Sequence, residues 1–247
     1  MTNVEPTMRI YSGPLSMFGA KAEIAAREKQ LIFELVMVPF VSAYEPKHPE
    51  VVRINPKQQV PVLVHGDLEI FDSTQIFEYL EDLKPVPALW PSGPAARARA
   101  RLLELKSDEV FFAHIIRLMN LQKIPDAAAA AAAQESAFAY YREMEALLSD
   151  RQFLAGSFSY ADIAFYMAQL FAERMGVPLD AETPALLRWR ETMSARPAVR
   201  SVIRPMVKFL YSSKRLVPDF LAGLVDSPGQ VANGSVDSVD GSGPCNF

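Results

Sequence analysis

A single cysteine, Cys245, stands third from the end of 247 residues, so a disulfide framework and a cysteine-ligated metal are both excluded within one chain. The three histidines, His48, His65 and His114, are scattered with no i,i+4 pair among them, and no metal site is expected. No run approaches the ~20 apolar residues of a membrane helix, and Met1 to Thr7 lacks a basic run followed by an apolar core. A cytoplasmic protein without membrane partners is expected. A net charge of −4 argues against a nucleic-acid partner, whose footprint would be a basic face. The run Arg97, Arg99, Arg101 reads as the solvated start of a helix. P-loop, Rossmann and G-x-S-x-G signatures are missing. What remains is a half-hydrophobic chain long enough for one large or two small domains.

Its most informative stretch is Asn55 to Thr74. Val60-Pro61-Val62-Leu63-Val64 is a β-branched run, His65-Gly66-Asp67 turns it, and Leu68 to Phe71 returns, which predicts a hairpin. Pro61 cannot donate to a sheet ladder, so it belongs at the start of its strand, at an edge or at a bend. A cis Val60-Pro61 bond is one solution, although few X-Pro bonds are cis. Asp72-Ser73-Thr74-Gln75 then has the form of a helix cap, followed by Ile76, Phe77, Tyr79, Leu80 and Leu83 on one face.

Around this hairpin, Met8 to Tyr11 reads as a strand, Ser16 to Glu28 as a helix and Phe33 to Val38 as a second strand. On that helix the pattern puts Lys21, Glu23, Arg27 and Lys29 toward water. A short helix from Pro49 stops before Pro56. The order is βαβ then ββα, the thioredoxin-like arrangement. Pro85 to Pro91 cannot be helical and marks a boundary. Beyond it strand signals vanish: one long helix is predicted from Pro94 to about Gln122, another from Asp126 through the alanine run to Leu148, one opened by Ser159-Tyr160-Ala161-Asp162, one from Thr183 or Pro184 to Arg196, and a last to about Arg215. The fold class is α/β plus all-α, divided into an extension 1–7, a domain 8–84, a linker 85–93, a helical domain 94–218 and a disordered tail 219–247.

Val-Pro at the start of the third strand, Asp72-Ser73 opening the third helix and the segment Ser16 to Ile24 together resemble the serine-type glutathione transferases, over about Met8 to Pro218. The segment departs from the family pattern S-x-x-x-x-K/R-V-R-I at Ala22 and Glu23. The resemblance implies a homodimer that binds glutathione as co-substrate and attacks a small hydrophobic or aromatic electrophile, with β-ether cleavage, isomerisation or dehalogenation as variants. It implies that Ser16 stabilises the thiolate, with Ser12 as the alternative, while Tyr11 reads as a buried strand aromatic. It assigns Gln58 to the glycyl end, with Lys57 or Gln59 near enough to substitute, Val60 and Pro61 to the cysteinyl backbone, and Asp72 and Ser73 to the γ-glutamyl group. Gly156 to Asp162 resembles the family's G-x-x-x-S/T-x-A-D, in which Asp162 is structural. Phe111, Phe112, His114, Ile115 and Leu118 are expected to line the second-substrate pocket, with Arg117 as an anion contact. The alternative is a glutathione-transferase-fold scaffold that binds partners without turnover.

Overall fold

A computed structural model describes residues 7–40, 45 and 47–224. Cys245, most of the predicted tail and most of the N-terminal extension lie outside them. Four strands, β1 (Arg9–Ser12), β2 (Glu34–Met37), β3 (Val62–His65) and β4 (Leu68–Phe71), form one sheet in the order β2-β1-β3-β4. β1 runs parallel to β2 and antiparallel to β3, and β3 and β4 form the expected hairpin with Val62 opposite Phe71. The Val60-Pro61 bond is cis.

Alternation along the strands divides the inside of this unit. Ile10 and Leu63 point to α1 (Met17–Glu28) and α3 (Ser73–Leu83), meeting Ala22, Ala26, Ile76 and Leu80. Tyr11, Val62 and Val64 point the other way and pack on Val51 of α2 (Pro49–Ile54).

Among the described residues after the linker the named elements are helices: α4 (Pro94–Leu105), α5 (Phe112–Leu121), α6 (Ala127–Leu148), α7 (Tyr160–Arg174), α8 (Pro184–Ala195) and α9 (Pro197–Ser212). The single helix expected from Pro94 to Gln122 is interrupted by a π-helical turn over Lys106–Phe111. Residues 160–172 of α7 are all buried, because α1, α4, α5 and α8 surround that helix. Its start is fixed by Asp162, whose carboxylate accepts from the amides of Leu154 and Ser159, each at 2.9 Å, and from Trp189 Nε1 at 3.0 Å. Burial lifts that carboxyl to about 6, against the pull of these donors.

Two expectations need correction here. Asp219–Leu224 is a 3-10 helix that seats Leu221 in the core, so the tail does not begin at 219 as a disordered segment. Lys21, Glu23 and Lys29 do not face water: they are 0%, 4% and 0% exposed. The helical half covers Lys21 and Glu23, while α3 and the linker enclose Lys29, and each charge there has a partner. Lys29 Nζ donates to the carbonyls of Lys84 and Pro87 at 2.7 and 2.9 Å and pairs with Glu81 at 2.5 Å. Glu81 in turn accepts from the amides of Leu89 and Trp90, so these two charges hold the linker against α1 and α3.

Candidate active site

The register of the sheet brings the predicted binding residues to one end. Tyr11 opposes Val62, and Val62 opposes Phe71. Ser12, Pro61 and Asp72 each lie one residue beyond these pairs, and α1 and α3 begin shortly after Ser12 and directly after Asp72. Ser16 caps α1, its Oγ accepting from the Gly19 amide at 2.9 Å. A serine hydroxyl accepts through a lone pair and still has its own proton to donate. The free amides of the first helical turn add positive potential at the same place.

Ser16 opens on a cavity of about 350 Å³, with Gln58, Gln59 and Val60 on one side and Phe18, Phe112, Ile116, Met119 and Phe171 on the other. The aromatic side is built edge to face: Phe18 meets Phe112 with ring centroids 5.7 Å apart, and Phe112 meets Phe171 at 6.1 Å. Ser12 lies outside this cavity, in a separate cleft against α9 with Glu23, Arg27 and Phe209. Burial raises the Glu23 carboxyl above its ordinary range, while its ion pair with Arg27 pulls it back down.

Asp72 and Ser73 are at the same sheet end but are not part of the cavity wall. Asp72 has a positive φ of 77°, a costly conformation for a residue with a side chain, and its Oδ1 accepts from the amides of Thr74 and Gln75 at 3.0 and 3.2 Å. Ser73 is buried beside it.

Of the predicted second-substrate residues only Phe112 lines the cavity. Phe111, Ile115 and Leu118 are buried in the core instead, and His114 is not a wall residue. The cavity side of α5 is Phe112, Ile116 and Met119, one position on from Phe111, Ile115 and Leu118, which face the core. Arg117 is exposed and outside the wall.

Three contributors were not singled out from sequence. Lys47 and His48 line the cavity on the side of Gln58 and Gln59. Asn55 is almost fully buried and shapes the loop before Val60, donating to the Gln59 carbonyl at 2.6 Å and accepting from the Lys57 amide at 2.9 Å. A buried-loop asparagine just after a helix end was the signal available for it. Among the described residues no cluster of potential metal ligands is found, and no helix is long and apolar enough to cross a membrane.

A βαβ-ββα unit with a hydroxyl-capped helix start is thus joined to a helical unit that walls the same cleft. Residues 6–82 match the family model described as glutathione S-transferase, N-terminal domain, and residues 109–197 match that of the C-terminal domain. The chain belongs to the glutathione transferase superfamily.

A stringent starvation protein A homolog of Coxiella burnetii is 35% identical over 115 residues, 46% of this chain and 52% of that protein, so the match spans about half of the relative's length. A glutathione S-transferase of Arabidopsis thaliana is 27% identical over 214 residues, 82% of this chain and 92% of the other. The crystal structure of a glutathione S-transferase from Rhodospirillum rubrum superposes with a TM-score of 0.75 at 28% identity, covering 88% of this chain and 99% of that one. A glutathione S-transferase from Methylobacillus flagellatus, solved with glutathione bound, gives 0.72 at 26% identity, with 79% and 98% covered.

Proposed function

We propose that this chain is a glutathione transferase in which Ser16 stabilises the thiolate of glutathione. Residues 8–84 form the glutathione-binding unit, 85–93 the linker, and 94–218 supply the second wall. The observation that carries this reading is that the Ser16 hydroxyl, at the start of α1, opens into the same cavity as Val60 and the aromatic wall of α5 and α7.

The chemical requirement is modest. A free thiol has a pKa of ~8.5, and lowering it by about two units means favouring the thiolate by roughly 2.7 kcal/mol. One hydrogen bond to a charged sulfur contributes ~1.5 to 3 kcal/mol, and the helix dipole adds to it. The bound tripeptide lies along Val60 in extended form, its γ-glutamyl end toward Asp72 and Ser73 and its glycyl carboxylate toward Gln58, Gln59, Lys47 and His48. The sulfur then attacks an electrophilic carbon held against Phe112, Ile116, Met119 and Phe171. A carbon–sulfur bond forms, the leaving group departs with its electron pair, and the thiol proton goes to solvent. The wall is apolar and aromatic, which suits a flat hydrophobic electrophile.

The second reading, a scaffold without turnover that acts through a cytoplasmic partner, is favoured by the 35% identity to a relative whose name is not that of a transferase. Titration calorimetry with glutathione, coupled to thiolate absorbance near neutral pH on wild type and Ser16→Ala, separates the two. The enzyme reading expects binding with a lowered thiol pKa that Ser16→Ala loses. Wild-type protein that ignores millimolar glutathione supports the scaffold.

A further inference from the structure

The first and third helices both begin at the proposed glutathione site, and a buried cation connects them. Lys21, five residues after Ser16 on α1, is fully enclosed, and its ammonium lies 2.9 Å from Glu104 Oε1 while also pairing with Asp108. The same Glu104 oxygen accepts the hydroxyl of Thr74 at 2.7 Å. Thr74 is the second residue of α3, directly after Ser73. The Ser73 carbonyl accepts from the Tyr160 hydroxyl at 3.0 Å, and the Tyr160 ring is 5.1 Å from the Lys21 ammonium and stacked on Phe77 of α3 at 3.8 Å. Two adjacent residues at the start of α3 are thus held by groups that converge on one lysine of α1.

Burying an ammonium with two carboxylates is weak support for stability, since apolar packing of the same volume often does as well. What the charges supply is direction: a hydrogen bond from Thr74 has one acceptor, and that acceptor is fixed by Lys21. Burial by itself would discharge this ammonium, but the carboxylates of Asp108 and Glu104 beside it more than offset that cost and keep it charged. We infer that Lys21 is a positioning residue which, through Glu104 and Thr74, sets the start of α3 for a γ-glutamyl group relative to the thiol site on its own helix. This inference rests on the glutathione reading above.

Removing Lys21 strands two buried carboxylates and risks the fold, so the decisive variant is Thr74→Val, which cuts the link while leaving the ion pairs in place. Dissociation constants for glutathione and for cysteinylglycine, which lacks the γ-glutamyl group, are measured on wild type, Thr74→Val and Lys21→Arg. Thr74→Val is expected to weaken glutathione by about tenfold or more, the scale of one hydrogen bond to a charged group, and to leave cysteinylglycine unchanged. Lys21→Arg keeps the charge and the preference for glutathione. If Thr74→Val weakens both ligands equally or neither, the residue is merely structural and the inference is overturned. Wild-type protein that binds cysteinylglycine and glutathione equally well also overturns it while leaving the thiol site intact. A wild type that binds neither removes the glutathione reading itself, and the positioning role with it.

Discussion

Arg196 grips Glu28 with two parallel hydrogen bonds, Nε to Oε1 at 2.7 Å and Nη2 to Oε2 at 2.8 Å. Glu28 ends α1 and Arg196 opens α9, 168 residues later, so this pair bolts the sheet-containing half to the helical half. The guanidinium also lies 3.4 Å from the centre of the Phe158 ring. Both side chains are mostly buried, and a bidentate geometry makes the pair stronger than a surface ion pair. A double-mutant cycle of Arg196→Ala and Glu28→Ala should give a coupling of about 1 to 2 kcal/mol in urea unfolding. Coupling indistinguishable from zero would contradict this role.

Gly19 is the third residue of α1, where alanine is ordinarily the better helix former by ~1 kcal/mol. A Cβ at this position would stand 3.0 Å from Ser16 Oγ and far inside contact distance of Ser12 Oγ. Overpacking of this kind costs about 1 to 3 kcal/mol and outweighs the propensity gain. Gly19→Ala should therefore lower the melting temperature and weaken glutathione binding together. A variant more stable than wild type would show that the helix start has room.

Asp162 accepts from two buried amides and an indole nitrogen. Asp162→Ala leaves those donors buried without an acceptor, a loss of about 3 to 5 kcal/mol. The expected outcome is a sharp fall in the yield of folded protein, read by circular dichroism, with any folded fraction still binding glutathione. Wild-type stability in this variant would mean that the bonds this carboxylate accepts are dispensable.

Asp108 gives a pH dependence whose sign can be worked out. It faces Lys21 from α1, Glu104 from α4, Tyr140 from α6 and Tyr160 from α7. Burial lifts its carboxyl from 3.8 to about 6, against the attraction of Lys21 and with the repulsion of Glu104. A folded-state value above the unfolded one means that the native state holds the proton longer. This group's contribution is complete below 3.8 and is lost as the pH rises through about 6. Asp108→Asn should remove that slope, so the variant gains on wild type between about pH 3.8 and 6 in urea unfolding. Parallel stability curves for the two proteins would refute the assignment.

Much of the site was legible because its signals are local. Ser16 and Asp72 are caps, readable from side chains that can bond to amides two or three residues ahead. Pro61 needed a strand start, and the hairpin is dictated by alternation and a turn. The cavity wall on α5 was not legible. A run of Phe111, Phe112, Ile115 and Leu118 has helical spacing whichever face is buried, and the π-helical turn just before α5 leaves no pattern in the residues it widens.

The chain by itself determined the element order, the two compositional halves and the helix starts that surround the cleft, since each depends on contacts within a few residues. The tertiary structure decided which charges of α1 are enclosed. Lys21 finds Glu104 across 83 positions, and Glu28 finds Arg196 across 168. Periodicity marks a lysine as polar. Whether it meets water or a carboxylate depends on what packs over it, and that is settled only when the helical half closes on α1.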